Sequence, residues 1–336
     1  MNNYNEVHEN YKNWYLDLQN PEKFEEKRNK FLNYHQNSGL TRVQIEPTQR
    51  CNYSCEMCPI DELDPKNTKK DLSLDEFKLI IENLPESVNT ICMSGLGEPF
   101  LNKDYINMAK YAKEKGYILE VYNNGSLFNK EILQYVDYIY FSVDALTKEL
   151  IQNLRKGVKY DKLFDSIRES VKFRDEFKNT LQVNINFTIS NKNYKEIPLL
   201  FDACSSLDVN LVQIQAMANN YSLNSEKYID FSSFIKENSF NNWKYIIENY
   251  NREYKFSLTI WYPRKLKGFC NWTFSSLYIT KDLNIISCCH KVTNPLIFGN
   301  LKNKNLDEIL KSEQIINFRE KHILNENIPL CNNCPF

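Results

Sequence analysis

No apolar run in this 336-residue chain approaches the ~18 residues of a membrane-spanning helix. Its start, Met1-Asn2-Asn3-Tyr4-Asn5-Glu6, lacks the basic and apolar regions of a secretion signal. These two absences predict a cytoplasmic protein with no membrane partner. An excess of charge is missing too, since 42 Lys and Arg stand against 43 Asp and Glu, a formal net charge of −1. Nothing general therefore draws the chain to nucleic acid. The four histidines show no metal-ligand spacing, and His290 reads as a surface or hairpin residue. What remains is a hydrophobic content of 42%, sufficient for a substantial core, and a length that suits one large domain plus a small one.

Ten cysteines are present, and in a mid-sized chain without a secretion signal clustered cysteines point to metal or redox chemistry rather than disulfides. Three of them, Cys51, Cys55 and Cys58, follow a short alternating run in the spacing C-x3-C-x2-C. Soft thiolates select iron-sulfur centres, which normally take four cysteines, and here no nearby fourth cysteine appears. One iron is then left open to a ligand, as in a catalytic rather than a structural metal site. The competing readings are a zinc site completed from a distance, whose usual paired spacing is absent, and three ordinary buried thiols.

Thirty-seven residues after Cys58, the β-like run Thr90-Ile91-Cys92-Met93 leads into Gly95-Leu96-Gly97-Glu98-Pro99, a glycine-rich turn that permits close backbone approach to a ligand. Together these motifs resemble the radical S-adenosylmethionine (radical SAM) superfamily, over residues 41 to about 216. The resemblance implies that the amino and carboxylate groups of SAM chelate the open iron of a [4Fe–4S] cluster. One electron then cleaves SAM to methionine and a 5′-deoxyadenosyl radical, which abstracts hydrogen from substrate. The cofactor carries the difficult chemistry while the protein binds, orients and excludes.

Six strand candidates alternate with helical patterns: 41–46, 88–93, 117–122, 138–143, 181–189 and 210–215. One such helix shows Leu74, Phe77, Lys78 and Ile81 at helical spacing after a capping Ser73. Strand-helix alternation predicts a parallel sheet. Six units are too few for a closed barrel, and the resemblance implies an open (β/α)6 partial TIM barrel, an α/β fold. We expect a helical cap over 1–40, the core over 41–220, a helical linker over 221–263 and a small auxiliary domain over 264–336. Tyr11, Trp14, Tyr15 and Leu18 in the cap lie at helical spacing, which reads as packing, with substrate recognition as the alternative.

Ligands of such sheets bind at the carboxyl ends of the strands. There the resemblance implies SAM contacts by Gly97, Glu98 and Pro99, the carboxylate of Glu98 meeting the SAM ammonium. Asn124 matches a Thr-Asn-Gly motif in which Asn123 here replaces the threonine. Ser142 and Asp144 suit hydrogen bonds to SAM, or alternatively cap the helix after Thr147. Arg155 suits the methionine carboxylate, or is a surface arginine. Met57 stands where an aromatic residue is common, offering a thioether to adenine. Gln213, Gln215 and Asn219 are candidates for the substrate cavity, and Arg252 or Arg264 for an anionic group. No catalytic residue is identified.

In the second half, Cys270 is followed after seventeen residues by Cys288, and the chain ends Cys331-Asn332-Asn333-Cys334-Pro335-Phe336. Between Cys270 and Cys288, the run 274–279, a polar turn and Ile285-Ile286 read as a β-hairpin; Leu306, Ile309 and Leu310 then read as a helix. Four thiols, Cys270, Cys288, Cys331 and Cys334, suit one auxiliary [4Fe–4S] cluster, with closed zinc as the alternative. The arrangement resembles the Twitch domain, the shortened form of the SPASM auxiliary-cluster domain. Leu283 departs from it where a glycine is frequent, and Cys289 competes with Cys288. Cys92, Cys204 and Cys289 read as packed thiols, a hydrogen-donating thiol being the alternative.

The spacing and the single auxiliary cluster resemble the Twitch-containing dehydrogenases of aminocyclitols. This implies a radical SAM oxidoreductase for a hydroxylated small molecule, a sugar or cyclitol, served by a flavodoxin or ferredoxin. The alternatives are modification of a ribosomally made precursor peptide, by crosslinking or epimerisation, and a non-catalytic electron carrier.

Overall fold

Short alternating strands, each turning one apolar face toward flanking helices, are the units of the architecture. The computed structural model describes residues 39–62, 71–190, 192–216, 254–261, 270 and 272–331, with isolated positions between 20 and 33. Tyr11, Trp14, Tyr15, Leu18, Asn219, Arg252, Arg264 and Cys334 lie outside the described residues, as do most of the expected cap and residues 217–253 of the expected core end and linker.

In chain order the elements are β1 (Arg42–Ile45), β2 (Ser54–Cys55), α1 (Leu74–Glu82), β3 (Thr90–Cys92), α2 (Tyr105–Glu114), β4 (Ile118–Asn123), β5 (Tyr138–Ser142), α3 (Lys148–Leu154), β6 (Arg155–Lys156), α4 (Tyr160–Phe177), β7 (Gln182–Ile189), α5 (Ile197–Leu207), β8 (Leu211–Ala216) and β9 (Ser257–Trp261). There follow α6 (Trp272–Ser275), β10 (Ser276–Ile279), β11 (Asn284–Ile286), β12 (Ile297–Asn300), α7 (Leu306–Leu310) and α8 (Glu313–Ile323). Ten strands form one sheet in the order β12-β11-β10-β1-β3-β4-β5-β7-β8-β9. All neighbours from β10 through β1 to β9 are parallel. The open α/β partial barrel and all six expected strands are therefore present.

Helix α1 shows why the pattern works. Ser73 and Glu76 form a reciprocal capping box, and Phe77, Ile80 and Ile81 fall on one buried face. In β7, Val183, Ile185, Phe187 and Ile189 enter the core packed by the helices, so Asn184, Asn186 and Thr188 point to the other, inner side of the sheet. Each fully buried aliphatic side chain contributes about 1.5–3 kcal/mol, which fixes the strand register.

Two expectations need correction. Residues 257–261 form a strand parallel to β8, although they fall in the stretch expected as a helical linker. Phe274 and Ser275, expected as strand, close the short helix α6. The hairpin itself is not a free-standing unit, because β10 pairs in parallel with β1 and extends the core sheet. Pairing is non-local here, joining residues more than 230 positions apart, which local periodicity does not encode.

Leu283, at the hairpin turn, has φ +68°, a left-handed backbone that glycine adopts freely. The turn keeps leucine because its side chain is fully buried. Replacement by glycine regains about 1–2 kcal/mol of backbone strain but forfeits ~2–5 kcal/mol of buried side chain. Leu283→Gly is thus expected to destabilise by about 1–3 kcal/mol in urea unfolding.

Candidate functional site

The loop bearing the first three cysteines is pinned by a small antiparallel ribbon in which Cys55 faces Arg155 and Ser54 faces Lys156. Glu56 N donates to Leu154 O at 2.8 Å, and Cys58 N to Cys55 O at 3.0 Å. Cys55 is buried, while Cys51 and Cys58 are half-buried. Burial, helped by the neighbouring thiols and opposed by Arg155, pushes the Cys51 thiol up to about 11 and Cys58 up to about 12. Loading such thiols with metal must release protons. Among the described residues no three His, Cys, Asp or Glu side chains converge on a single ion position. A cubane instead takes each thiolate on a separate iron.

The Gly95–Pro99 turn lies against the loop that leads to Cys51. A Cβ on Gly97 would stand 2.5 Å from both Thr48 O and Arg50 O, so only glycine allows this approach. Glu98 N donates to Arg50 O at 2.8 Å, and Pro99 opens the 3-10 turn 99–101. The Glu98 carboxylate, expected to face the SAM ammonium, is 2% exposed and accepts from Asn124 N at 2.8 Å and Phe100 N at 3.3 Å. Burial raises its pKa to about 7. Glu98 thereby ties the end of β4 to the glycine turn.

Asn124 extends that tie. Its Nδ2 donates to Asn52 Oδ1 at 3.0 Å, and Asn52 Nδ2 donates to Ser126 Oγ at 2.7 Å. Asn123, in place of threonine, donates to Tyr140 O at 3.1 Å and accepts from Gly125 N at 2.8 Å, holding the turn where Gly125 has φ +75°.

Arg155 is not a surface residue: its side chain is 11% exposed and its Nε lies 3.0 Å from Asp144 Oδ2, whose side chain is 2% exposed. Arg155 Nη1 donates to Ser142 O at 2.9 Å. Burial works against its charge, but Asp144, Cys55 and Cys51 hold it protonated, above the ordinary arginine value. Its Nε contact is misaligned as a hydrogen bond, which leaves a buried donor without an acceptor among the described residues. Asp144 Oδ1 also accepts from Thr188 N at 2.8 Å. Neither Ser142 nor Asp144 caps α3. Glu196 instead fastens the chain just before α3, accepting from Leu146 N, Thr147 N and Thr147 Oγ1. Met57 is half-buried against the core. Three thiols, a glycine-only approach and a charged arginine beside them fit a cluster with a carboxylate-bearing ligand.

At the auxiliary cysteines, Cys270 accepts backbone N–H bonds from Thr273 and Trp272 and feels the charges of Cys288 and Cys331; burial pushes it to about 11. Cys288 is raised by its hydrogen bond with Cys289 and by burial. His290 N donates to Cys288 Sγ at 3.2 Å. The buried Cys204 thiol is raised by desolvation alone, as packing demands.

The two sets stand at opposite ends of the sheet. Cys51 follows the carboxyl end of β1, whereas Cys270 precedes β10 and Cys288 follows the antiparallel β11, at the amino end. The four residues of β1 alone span roughly 13 Å. Between them the inner face carries polar groups: Arg42 donates to Glu120 at 2.7 and 3.0 Å, Gln44 to Ser94 O at 2.9 Å, and Gln213 to Asn186 Oδ1 at 3.1 Å. Gln215 shares the face of Gln213 on β8. A separate groove of about 840 Å³ lies between α4 and α5, lined by residues such as Asp165, Arg168 and Leu199; it holds none of these groups.

Sequence reasoning missed Glu196, Asn52 and Asn193. Each acts across a long gap, as when Asn193 Nδ2 donates to Asp144 O at 2.7 Å, and no local pattern marks them.

Residues 45–190 match the model of the radical SAM superfamily, and residues 270–335 that of an iron-sulfur cluster-binding domain, SPASM. A tungsten-containing aldehyde ferredoxin oxidoreductase cofactor-modifying protein of Pyrococcus furiosus is 25% identical over 323 residues, covering 87% of this chain and 86% of that one. Among solved structures, Streptococcus suis SuiB bound to precursor peptide SuiA superposes with a TM-score of 0.66 at 16% identity, over 92% of this chain and 73% of that one. BtrN in complex with AdoMet and 2-DOIA gives 0.51 at 14% identity, over 88% and 93%. At these identities both likenesses speak for the fold.

Proposed function

Because this chain joins a radical SAM core, with its [4Fe–4S] cluster and SAM, to a SPASM domain with an auxiliary iron-sulfur cluster, we propose that it oxidises a hydroxylated small molecule, a sugar or cyclitol alcohol. When bound, cluster and SAM together supply a 5′-deoxyadenosyl radical for hydrogen abstraction. Cys51, Cys55 and Cys58 hold the cluster. Arg155, kept charged beside Asp144, serves the methionine carboxylate, while Gly97, Glu98, Pro99, Asn124 and Ser142 shape the SAM cradle and Met57 borders the adenine. Cys270, Cys288, Cys331 and Cys334 hold the auxiliary cluster. Alcohol oxidation removes a hydrogen atom, a proton and an electron, and the iron-sulfur cluster that the auxiliary cysteines would hold would accept that electron. A flavodoxin or ferredoxin is the reductant.

The observation that carries this reading is the inner face of the sheet. Its amides, Asn184, Asn186 and Gln213, are neutral, and its ion pairs, Arg42 with Glu120 and, at the carboxyl end, Arg155 with Asp144, are self-compensating. Such a lining suits a neutral hydroxylated ligand. A second reading, modification of a ribosomal peptide, draws on the fold shared with SuiB, which was seen with its precursor peptide. Incubation with SAM, reductant and candidate substrates under argon separates them: a two-electron mass loss on a small alcohol is expected, and an altered residue in a precursor peptide would refute it. An electron carrier without catalysis would cleave no SAM.

A further inference from the structure

Resting on the SAM site proposed above but not on the substrate class, we infer that Tyr278 of the auxiliary hairpin is a positioning residue for SAM, setting the seat of the Gly95–Pro99 turn through the carboxylate of Glu46. Tyr278 lies in β10, where Leu277 and Ile279 on either side enter the core packed by the helices. Strand alternation therefore turns its ring to the inner face. Its register partner on β1 is Gln44, and its hydroxyl reaches one step further toward the carboxyl end, to Glu46.

The two oxygens of Glu46 divide their donors in the same way. Oε1 accepts from Tyr278 Oη at 3.0 Å and from Leu96 N at 3.3 Å. Oε2 accepts from Lys281 N at 3.3 Å and from Gln49 Nε2 at 3.0 Å. Each oxygen thus joins one donor of the auxiliary hairpin to one donor of the SAM end, the glycine turn in the first case and the loop before Cys51 in the second. Glu46 and Tyr278 are both buried, so bulk water does not replace a bond lost between them.

The turn sits against this pair as closely as a backbone can. A Cβ on Gly95 would stand 2.5 Å from Glu46 Cγ and 2.8 Å from Tyr278 Oη. The backbone of Gly95 is not left-handed, so closeness rather than conformation requires glycine there. Gln44 Nε2 donates to Ser94 O at 2.9 Å, holding the residue before the turn to the same strand. Leu96, whose amide Glu46 receives, stands between Gly95 and Gly97, and Gly97 is itself pressed against the backbone of Thr48 and Arg50. A displaced Glu46 carboxylate therefore moves the turn that carries Gly97 and Glu98, and Glu46 needs no contact with SAM to do so. A site held in its working geometry by such supporting bonds loosens when one is removed.

The experiment is equilibrium dialysis of radiolabelled SAM against the anaerobically reconstituted protein. It is paired with the rate of 5′-deoxyadenosine formation across SAM concentrations and with hydrogen-deuterium exchange of the amides at 94–99. In Tyr278→Phe, which loses only the hydroxyl, Kd and KM for SAM are expected to rise about threefold to tenfold. Its kcat and iron content are expected to stay as in wild type, while exchange at 94–99 quickens. Glu46→Gln, which keeps the side-chain volume but turns one acceptor into a donor, is expected to move the same constants the same way. Tyr160→Phe is the matched control, because it removes a tyrosine hydroxyl bond to Leu146 O elsewhere in the structure; its SAM affinity is expected to equal that of wild type. Unchanged SAM affinity in folded Tyr278→Phe overturns the role of Tyr278 and leaves the SAM site standing. Weakening that is matched by Tyr160→Phe, or that tracks lost iron, overturns it equally. A wild type that binds no SAM overturns both.

Discussion

Replacing Cys51, Cys55 and Cys58 together with alanine is expected to lower the iron of the anaerobically reconstituted protein from about eight to about four per chain, and to abolish reductive SAM cleavage. The two cysteine sets lie at opposite ends of β1 and β10, separated by at least the length of a strand, so loss of one leaves the ligands of the other in place. The loop carrying the three thiols is held by its own ribbon to Arg155 and Lys156, which keeps the damage local. Iron and sulfide analysis with product chromatography of 5′-deoxyadenosine checks both parts. A fall from about four to none would remove the auxiliary cluster, and with it the place for the substrate's electron. SAM cleavage that survives Cys58→Ala alone would contradict the assignment of that thiol.

Glu46→Ala is expected to be among the most destabilising single substitutions in the sheet, by about 3–5 kcal/mol, because several buried donors lose one acceptor at ~1–3 kcal/mol each. Glu46 follows β1 and is fully buried. It accepts from Tyr278 Oη and Gln49 Nε2 at 3.0 Å, and from Lys281 N and Leu96 N at 3.3 Å. One carboxylate thus joins the glycine turn, the loop before Cys51 and the turn of the auxiliary hairpin. Burial raises its pKa above the ordinary carboxylate value, with the hydrogen bonds opposing. A raised folded-state pKa means that the native chain keeps this proton longer than the unfolded one. The corresponding stability is present at low pH and is lost as pH rises through the folded value. Urea midpoints across that range should fall with pH in wild type, and Glu46→Gln should flatten the slope.

The cluster loop illustrates what can be read locally. Three thiols within eight residues suggest an iron-sulfur site by type and spacing, and with the Gly-Leu-Gly-Glu-Pro turn after a strand they carry the family resemblance that implies SAM. The six core strands were equally legible, since each buries one alternating face. Arg155 shows the limit. Residue type leaves a SAM contact and a surface position equally open, and the surface position is excluded by Cys55 across the ribbon and Asp144 from β5's end. Glu98 shows another, for its motif suggests a ligand contact while its carboxylate is engaged by backbone amides from residues 100 and 124.

What the sequence by itself determined is the position of the core strands along the chain and the clustering of the cysteines, because these follow from short-range spacing and from the period of burial; the cofactor chemistry followed from the resemblance those motifs carry. Only the tertiary structure decided that the auxiliary hairpin continues the core sheet, that residues 257–261 are a strand and that Glu196 fastens the chain before α3. Each of these depends on a partner tens to hundreds of residues away, supplied by strand pairing and close packing, and no local pattern in the chain encodes which distant backbone will arrive.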